Sequence, residues 1–238
     1  ESVPPKSDFK LQGDVEFKHV SLAYKDERYV LKDLSFSLKA GESLAIVGAT
    51  GSGKSTIINA LCQFYEIAKG DILFDGHSIK NINKYDLRRQ IALVQQDVFL
   101  FSGSILDNIR MGNQQIEQEE IESISLAVSS HNFISNLPFK YEQELNEDDI
   151  SSGQRQLLSF ARALAAEPKI LVLDEATSNV DLETERQIQK GIKEMTRGRT
   201  SIIIAHRLST LMHVDKVLVL KKGEVIEFGK RKELLQQK

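Results

Sequence analysis

The chain has 238 residues, 41% of them hydrophobic, so it can bury a substantial core as one compound domain. Its formal net charge of -3 gives no overall basic field for nucleic acid, and its single cysteine excludes an internal disulfide and suits a reducing compartment. No apolar run approaches the ~18–20 residues that span a bilayer, and no signal peptide is evident, so the chain as given is expected to be soluble.

Residues 1–12 are predicted to be a linker that leads into a domain covering residues 13–238. The chain does not begin with methionine, and Pro4 and Pro5 lie in a polar segment typical of extended backbone. We expect a further segment upstream; an ordinary flexible terminus is the alternative.

The segment from Asp14 to Gly41 is predicted to contain antiparallel strands. Val15 and Phe17 alternate with polar neighbours, and a second alternation runs through Leu34, Phe36 and Leu38. A period of two indicates strands that are buried on one face only.

The next segment has the pattern of a phosphate-binding loop. An apolar strand, Ser43–Val47, precedes the motif G-x-x-x-x-G-K-[ST], and apolar residues at helical spacing predict a helix over Ile57–Phe64. The glycines allow a tight turn that aims backbone N–H groups at phosphate, Lys54 would reach the β- and γ-phosphates, and Ser55 would bind magnesium. The candidate ATP-binding residues of this loop are Gly48, Ala49, Thr50, Gly51, Ser52, Gly53, Lys54, Ser55 and Thr56.

From about residue 97 to 166 the pattern becomes helical, with apolar spacing over 105–109 and 119–129 and a helical run after Gln156. The segment before that run contains Ser151 and Gly153 at a predicted helix N-terminus, where a hydroxyl, a close backbone and free N–H groups favour an anion. One chain needs only one loop around a β-phosphate, so this second device implies a second nucleotide.

An apolar run, Lys169–Leu173, ends in two acids and is typical of a central parallel strand. Asp174 would hold magnesium, and Glu175 could accept a proton from an attacking water. Farther along, an isoleucine-rich strand over 201–205 precedes His206, and residues 216–220 and 224–228 predict a hairpin that turns at 221–223.

The order of these segments resembles the nucleotide-binding domains of ATP-binding-cassette (ABC) proteins. Tyr24 resembles the aromatic residue that stacks on adenine, and Gln96 resembles the Q-loop glutamine. Ser178 and Asp181 are similar to D-loop residues, and His206 is similar to the switch histidine. The resemblance implies an α/β fold of the ABC-type P-loop NTPase class, with a RecA-like core, an antiparallel β-subdomain and an inserted α-helical subdomain at about 97–166.

The resemblance also implies how ATP would be used. The signature residues would cap the γ-phosphate of ATP held by a second cassette, in a head-to-tail homodimer or heterodimer with two ATP molecules at its interface. Those residues are Ser151, Ser152, Gly153 and Gln154. The metal ion would be Mg²⁺, held by Ser55, Gln96 and Asp174. The implied catalytic residues are Lys54, Gln96, Glu175 and His206, with Glu175 as general base and His206 orienting the attacking water.

Exporters in which membrane helices and cassette share one chain have a joint similar to the linker at 1–12. The chain is therefore expected to power export at the cytoplasmic face of a membrane, the cell (inner) membrane of a bacterium. Its expected partner is a transmembrane domain on the same full-length chain, and no nucleic-acid partner is expected. The usual signature reads Leu-Ser-Gly-Gly-Gln, so Ile150 and Ser152 depart from it. We expect the site to remain active.

Three alternatives stay open at this stage. A standalone importer subunit would have the same fold and meet a separate permease. A nucleic-acid-associated ABC ATPase is disfavoured because Lys54 and Asp174 are only 120 positions apart, with no sustained heptads between them. A nonhydrolytic binding module is disfavoured by the presence of Glu175 and His206.

Overall fold

A computed structural model describes residues 9–25, 28–111, 113, 115–145, 149–174, 180–205 and 208–236. Within these ranges the strands are β1 (Val15–Ala23), β2 (Tyr29–Leu38), β3 (Ser43–Val47), β4 (Lys69–Phe74), β5 (His77–Ser78), β6 (Ile91–Val94), β7 (Ile170–Asp174), β8 (Thr200–Ile204), β9 (Lys216–Lys221) and β10 (Glu224–Lys230). The α-helices are α1 (Lys54–Leu61), α2 (Lys84–Arg88), α3 (Ile105–Arg110), α4 (Gln118–Ala127), α5 (His131–Ser135), α6 (Ser152–Ala165), α7 (Leu182–Thr196), α8 (Leu208–Leu211) and α9 (Arg231–Gln236). Short 3-10 turns cover Ile79–Asn81 and Lys140–Glu142.

A four-stranded antiparallel sheet has the order β2-β1-β4-β5. Its alternating residues bury one face, as the sequence predicts, and Phe17 of β1 stacks on its partner Phe36 of β2 with ring centroids 4.4 Å apart. Aromatic pairs directly opposite one another stabilise a sheet by roughly 0.2–1 kcal/mol beyond alanine pairs. The predicted antiparallel subdomain is confirmed.

The central sheet has the order β10-β9-β3-β8-β7-β6, in which neighbours from β9 to β6 run parallel and β10 is an antiparallel edge strand. Strands β3, β7 and β8 consist almost entirely of buried residues, because helices and the antiparallel sheet cover both faces. Parallel strands bring their carboxyl ends to one edge, which is where ligands bind in open α/β sheets.

The chain between β6 and β7 forms the helical layer, from α3 to α6. The long helix α6 packs against α3, α4 and α7, and its buried residues join one apolar cluster with those of the central sheet. The helices expected over 105–109 and 119–129 are present as α3 and α4.

The helix after the phosphate loop begins and ends earlier than the sequence predicts. The apolar spacing indicates Ile57–Phe64, whereas α1 covers Lys54–Leu61. Gly53, the N-cap with φ of 108°, fixes where the helix begins. At the other end, Cys62 is the C-cap, and Gln63, with φ of 53°, is the left-handed residue that ends the helix. Left-handed backbone ends a helix whatever the apolar pattern beyond it.

An N-terminal strap, residues 9–14, fastens the two sheets together. The Asp75 carboxylate accepts the backbone N–H groups of Gln12, Gly13 and Asp14 at 2.7, 3.0 and 2.8 Å. The Gln90 amide, just before β6, accepts from the backbone N–H of Leu11 and donates to the carbonyl of Phe9. The strap therefore bonds to the turn between β4 and β5 of one sheet and to the residue just before β6 of the other.

Candidate nucleotide-binding site

The phosphate loop leaves β3 at the carboxyl edge of the central sheet and runs directly into α1. Gly53 is the N-cap of α1, and its φ of 108° is a conformation that side chains other than glycine rarely adopt. A Cβ at Gly53 would also lie 3.0 Å from Leu31 Cδ2. No side chain caps α1 and its first turn contains no acidic residue, so the positive end of the helix faces the loop unneutralised.

Lys54 is held inside this loop. Its side chain is buried, and Nζ donates to the carbonyl oxygens of Gly48 at 2.8 Å and Ala49 at 3.2 Å. The Ser52 Oγ is also buried and makes no hydrogen bond within the described part of the chain. A buried ammonium group and an unsatisfied hydroxyl at the N-terminus of α1 suit an anionic ligand.

Tyr24 lies next to α1 and is anchored to it by its hydroxyl. The hydroxyl donates to Thr56 Oγ1 at 3.0 Å and accepts from Asn59 Nδ2 at 2.9 Å. The Tyr65 ring packs edge-on against it, with centroids 4.6 Å apart and planes at 85°. Tyr24 is 40% exposed, so ring surface stays accessible beside the phosphate loop. Its adenine-stacking role remains a prediction.

Asp174 and Gln96 reach the same edge of the sheet. Ile46 pairs with Ile204, which in turn pairs with Asp174, so these residues form one row across β3, β8 and β7. With strands ~4.8 Å apart, the Cα atoms of Ile46 and Asp174 are about 10 Å apart. Gln96 follows the end of β6 by two residues and is exposed.

These side chains fit a magnesium ion by the chemistry of their donor atoms. Ser55 offers a hydroxyl, Gln96 an amide oxygen and Asp174 a carboxylate, all oxygen ligands of the kind that Mg²⁺ prefers. Among the described residues, no group of three or more His, Cys, Asp or Glu could hold a metal by itself. Mg²⁺ here would therefore need phosphate oxygens as further ligands, and it would supply neutralisation of phosphate charge.

The signature residues begin α6 as a capping box. Ser151 Oγ accepts the backbone N–H of Gln154, while the Gln154 side chain accepts the backbone N–H of Ser151 at 2.9 Å. The box uses one N–H of the helix N-terminus, that of Gln154, but leaves the Ser151 hydroxyl hydrogen able to donate to another group. Ser151 and Ser152 are exposed, and the first turn of this 14-residue helix contains no acid.

Gly153 is buried against the start of α7 instead of lying open to a ligand. A Cβ at this position would overlap Thr184 Cγ2 and lie 3.0 Å from Val180 Cγ1. The glycine is therefore required for close packing of α6 on α7, a reason that the sequence motif does not indicate.

Asp181, predicted in the D-loop, is the N-cap of α7. Its carboxylate accepts the backbone N–H groups of Glu183 and Thr184, both at 3.0 Å, and the Thr184 hydroxyl at 2.6 Å. The Thr184 hydroxyl, followed by the Thr184 amide, lowers the pKa of the Asp181 carboxyl. Asp181 remains exposed and charged at neutral pH.

The sequence of this chain matches the family described as ABC transporter over residues 31–178. The chain belongs to the ABC transporter family. The ABC ATPase fold expected from the sequence is confirmed, and the chain is an ABC nucleotide-binding domain, the ATPase domain of these transporters.

Curated ABC relatives match nearly the whole chain. An uncharacterised ABC transporter ATP-binding protein of Bacillus subtilis, YknV, is 47% identical over 228 residues, which is 95% of this chain and 38% of the relative. A probable multidrug resistance ABC transporter ATP-binding/permease protein of the same organism, YheH, is 47% identical over 94% of this chain and 33% of its own length. A putative multidrug export ATP-binding/permease protein of Staphylococcus aureus is 44% identical, over 94% and 39%. The chain thus spans less than two fifths of these relatives.

A solved structure of a bacterial Atm1-family ABC exporter with ATP bound has the same fold, with a TM-score of 0.88 and 36% identity. The match covers all of this chain and 42% of the exporter chain. Within the part of the ABC domain that the structure describes, no helix combines the length and apolar character that a membrane crossing requires.

Three predicted site residues of this ABC domain lie outside the described residues: Glu175, Ser178 and His206. The others, apart from Tyr24 beside α1, form two groups. The phosphate loop, Gln96 and Asp174 share the carboxyl edge of the central sheet, whereas the signature residues and Asp181 lie at the starts of α6 and α7.

Sequence analysis of the ABC motifs misses Asn108 and Arg162, which hold the segment after Gln96. Arg162 donates to the carbonyls of Asn108 and Phe99 and to Asn108 Oδ1, at 2.9–3.0 Å, and its guanidinium lies 5.0 Å from the Phe101 ring centroid. Burial lowers the pKa of Arg162. A buried asparagine in α3 and an arginine 54 residues later carry no motif, so only a polar residue on an apolar helix face could have indicated them.

Proposed function

We propose that this ABC ATPase domain powers export by an exporter whose cassettes dimerise head-to-tail around two ATP molecules. The observation that carries the proposal is that two helices with acid-free first turns, α1 and α6, begin at predicted phosphate-binding segments, the phosphate loop and the signature residues. A helix N-terminus favours phosphate, and one chain needs only one loop around a β-phosphate. A second chain, placed head-to-tail, would bring an α6 N-terminus to each α1 site.

The roles within each composite site are those that the family resemblance implies, and the chemistry of the side chains suits them. Lys54 and the loop amides would neutralise the phosphates, and Ser55, Gln96 and Asp174 would surround Mg²⁺. Glu175 would accept a proton from the attacking water and His206 would orient that water. Across the interface, the Ser151 hydroxyl would donate to the γ-phosphate, and Ser152 adds a second hydroxyl beside it. Tyr24 would stack on adenine.

Export and its membrane partner are inferred from the relatives. Several are named as multidrug ATP-binding/permease proteins, and this chain spans only 33–39% of those two cited above, which leaves room for a permease part. The transmembrane domain would lie on the same full-length chain, and the cassette would work at the cytoplasmic face of a bacterial cell membrane. Closing on ATP and opening after hydrolysis would drive the membrane helices.

The test is the mass of the Glu175→Gln chain in solution, measured by light scattering over a protein concentration series with Mg-ATP. We expect ATP to double the mass, because binding without hydrolysis traps the closed dimer. Mg-ADP serves as the ligand control and Lys54→Ala, which lacks the phosphate ligand, as the protein control; both should leave a monomer. ATP binding by a chain that stays monomeric at every concentration would refute self-association around ATP.

A further inference from the structure

Thr184, in the first turn of α7, touches two segments that the sequence motifs treat separately. Its hydroxyl donates to Asp181 Oδ2 at 2.6 Å, and its Cγ2 methyl fills the space that a Cβ would take at Gly153. Val180 Cγ1 closes the same gap from the other side, 3.0 Å from that Cβ position. The two branches of one side chain thus connect the capping carboxylate of α7 to the second residue of α6.

We propose that Thr184 is a positioning residue that holds the start of α6, with the signature residues, at a fixed spacing from the start of α7, so that the signature residues meet the partner's ATP in one position. The inference rests on the proposed function, because the signature residues act there across the dimer interface. It assigns a role to a residue outside the ATP-binding motifs.

The chemistry of threonine explains why this residue suits the position. A β-branched side chain is stiff at χ1, so the hydroxyl bond to Asp181 also fixes the direction of the methyl group. Serine would keep the hydroxyl but leave a methyl-sized gap beside Gly153. Valine would fill the gap but lose the bond to Asp181, and either loss lets the starts of α6 and α7 shift relative to each other.

The spacing between the starts of α6 and α7 affects ATP binding at the dimer interface, because each start has an exposed N-cap residue. Ser151 and Asp181 are the N-caps of α6 and α7, and both are exposed. Catalytic groups must be held to within a fraction of an ångström by neighbours whose own rotamers are locked. A tighter link between two caps therefore favours the closed dimer without changing how each monomer binds its own ATP.

The experiment compares Thr184→Ser and Thr184→Val in the Glu175→Gln background. For each variant, the protein concentration at which ATP doubles the mass is measured. We expect both to need about three- to tenfold more protein, because each breaks one half of the link. Thr196→Ser and Thr196→Val are the matched controls, since Thr196 also bonds to its own helix, at the far end of α7, and should match the parent.

Two further measurements separate positioning from general destabilisation. The affinity of the diluted monomer for a fluorescent ATP analogue should be unchanged, and with native Glu175 the KM for ATP should rise while kcat changes less than KM. Weakened monomer binding would indicate a purely structural role. Dimerisation at the parent concentration by either Thr184 variant would overturn the inference, whereas failure of the Glu175→Gln parent to dimerise would instead refute the proposed function.

Discussion

Replacing Asn108 with alanine tests whether the buried polar network on α3 holds the segment after Gln96. The Asn108 side chain is 2% exposed and makes four hydrogen bonds: it accepts from the Phe101 N–H and from Arg162 Nη2, and it donates to the carbonyls of Phe101 and Ser104. Asn108→Ala leaves all four partners without it.

The expected loss follows from these bonds. Three neutral bonds contribute ~1 kcal/mol each and the bond to the charged guanidinium ~1.5–3 kcal/mol. Water can reach the Phe101 backbone, because that residue is 46% exposed, and this replaces part of the loss. We therefore expect the free energy of unfolding to fall by about 2–4 kcal/mol.

Urea denaturation followed by circular dichroism measures this loss, with the slope checked for constancy. Asn113→Ala is the matched control, because its side chain accepts only the exposed Gln115 N–H among its described bonds; its loss should stay within ~0.5 kcal/mol. A loss below ~1 kcal/mol for Asn108→Ala at unchanged slope would refute the view that this network fastens the segment.

Four further predictions concern the site and its surroundings. Gly53→Ala forces alanine into a left-handed conformation against Leu31 and should weaken ATP binding at least tenfold by calorimetry, whereas unchanged affinity would show that the loop adapts. Tyr24→Ala should cost about 1–3 kcal/mol of ATP affinity and Tyr24→Phe less, measured with a fluorescent ATP analogue, and equal losses would contradict stacking. Ser152→Gly should change ATP turnover only several-fold; a gain of roughly a hundredfold or more would show that the natural signature is crippled. Burial raises the pKa of the Cys62 thiol from 9.0 to about 11. The stability that the buried neutral thiol supplies is therefore present below pH 9 and is lost as the pH rises toward 11. Iodoacetamide should label native Cys62 far more slowly than the unfolded chain at pH 9, and equal rates would disprove the burial of Cys62.

The sequence predicts the phosphate loop and its strand well because the chemistry itself fixes the residues. A tight turn, a lysine and a hydroxyl at fixed spacing have few other uses between a buried strand and a helix. Asp174, the last residue of β7, is predictable for a similar reason. Its placement at the carboxyl edge follows from parallel strands, and the pairing of Ile204 with Asp174 shows it.

The limits of α1 could not be predicted from apolar spacing. The first helical turn, with Lys54 and Ser55, is polar, and the apolar residues Phe64 and Ile67 continue beyond its end. What decides the limits is backbone conformation at Gly53 and Gln63, and a left-handed glutamine has no signature in the sequence.

Contacts between segments that are far apart in the chain could also not be predicted from the sequence. Arg162 meets Asn108 only because α6 packs on α3, and Thr184 meets Gly153 only because α6 packs on α7. A glycine at position 153 allows either a ligand or a neighbouring helix to approach the backbone closely, and the sequence alone does not distinguish the two. The distance to Thr184 distinguishes the two.

The N-terminal strap has a mechanical consequence. Gln12, Gly13 and Asp14 all bond to one carboxylate, Asp75, beside the antiparallel sheet, and the Gln90 amide grips Phe9 and Leu11 beside the central sheet. A pull on the chain at Phe9 would load the bonds to Gln90 and Asp75 before it reached β1. A pull applied at Phe9 would therefore be shared between groups beside both sheets, and residues 9–14 would move together with the rest of the domain.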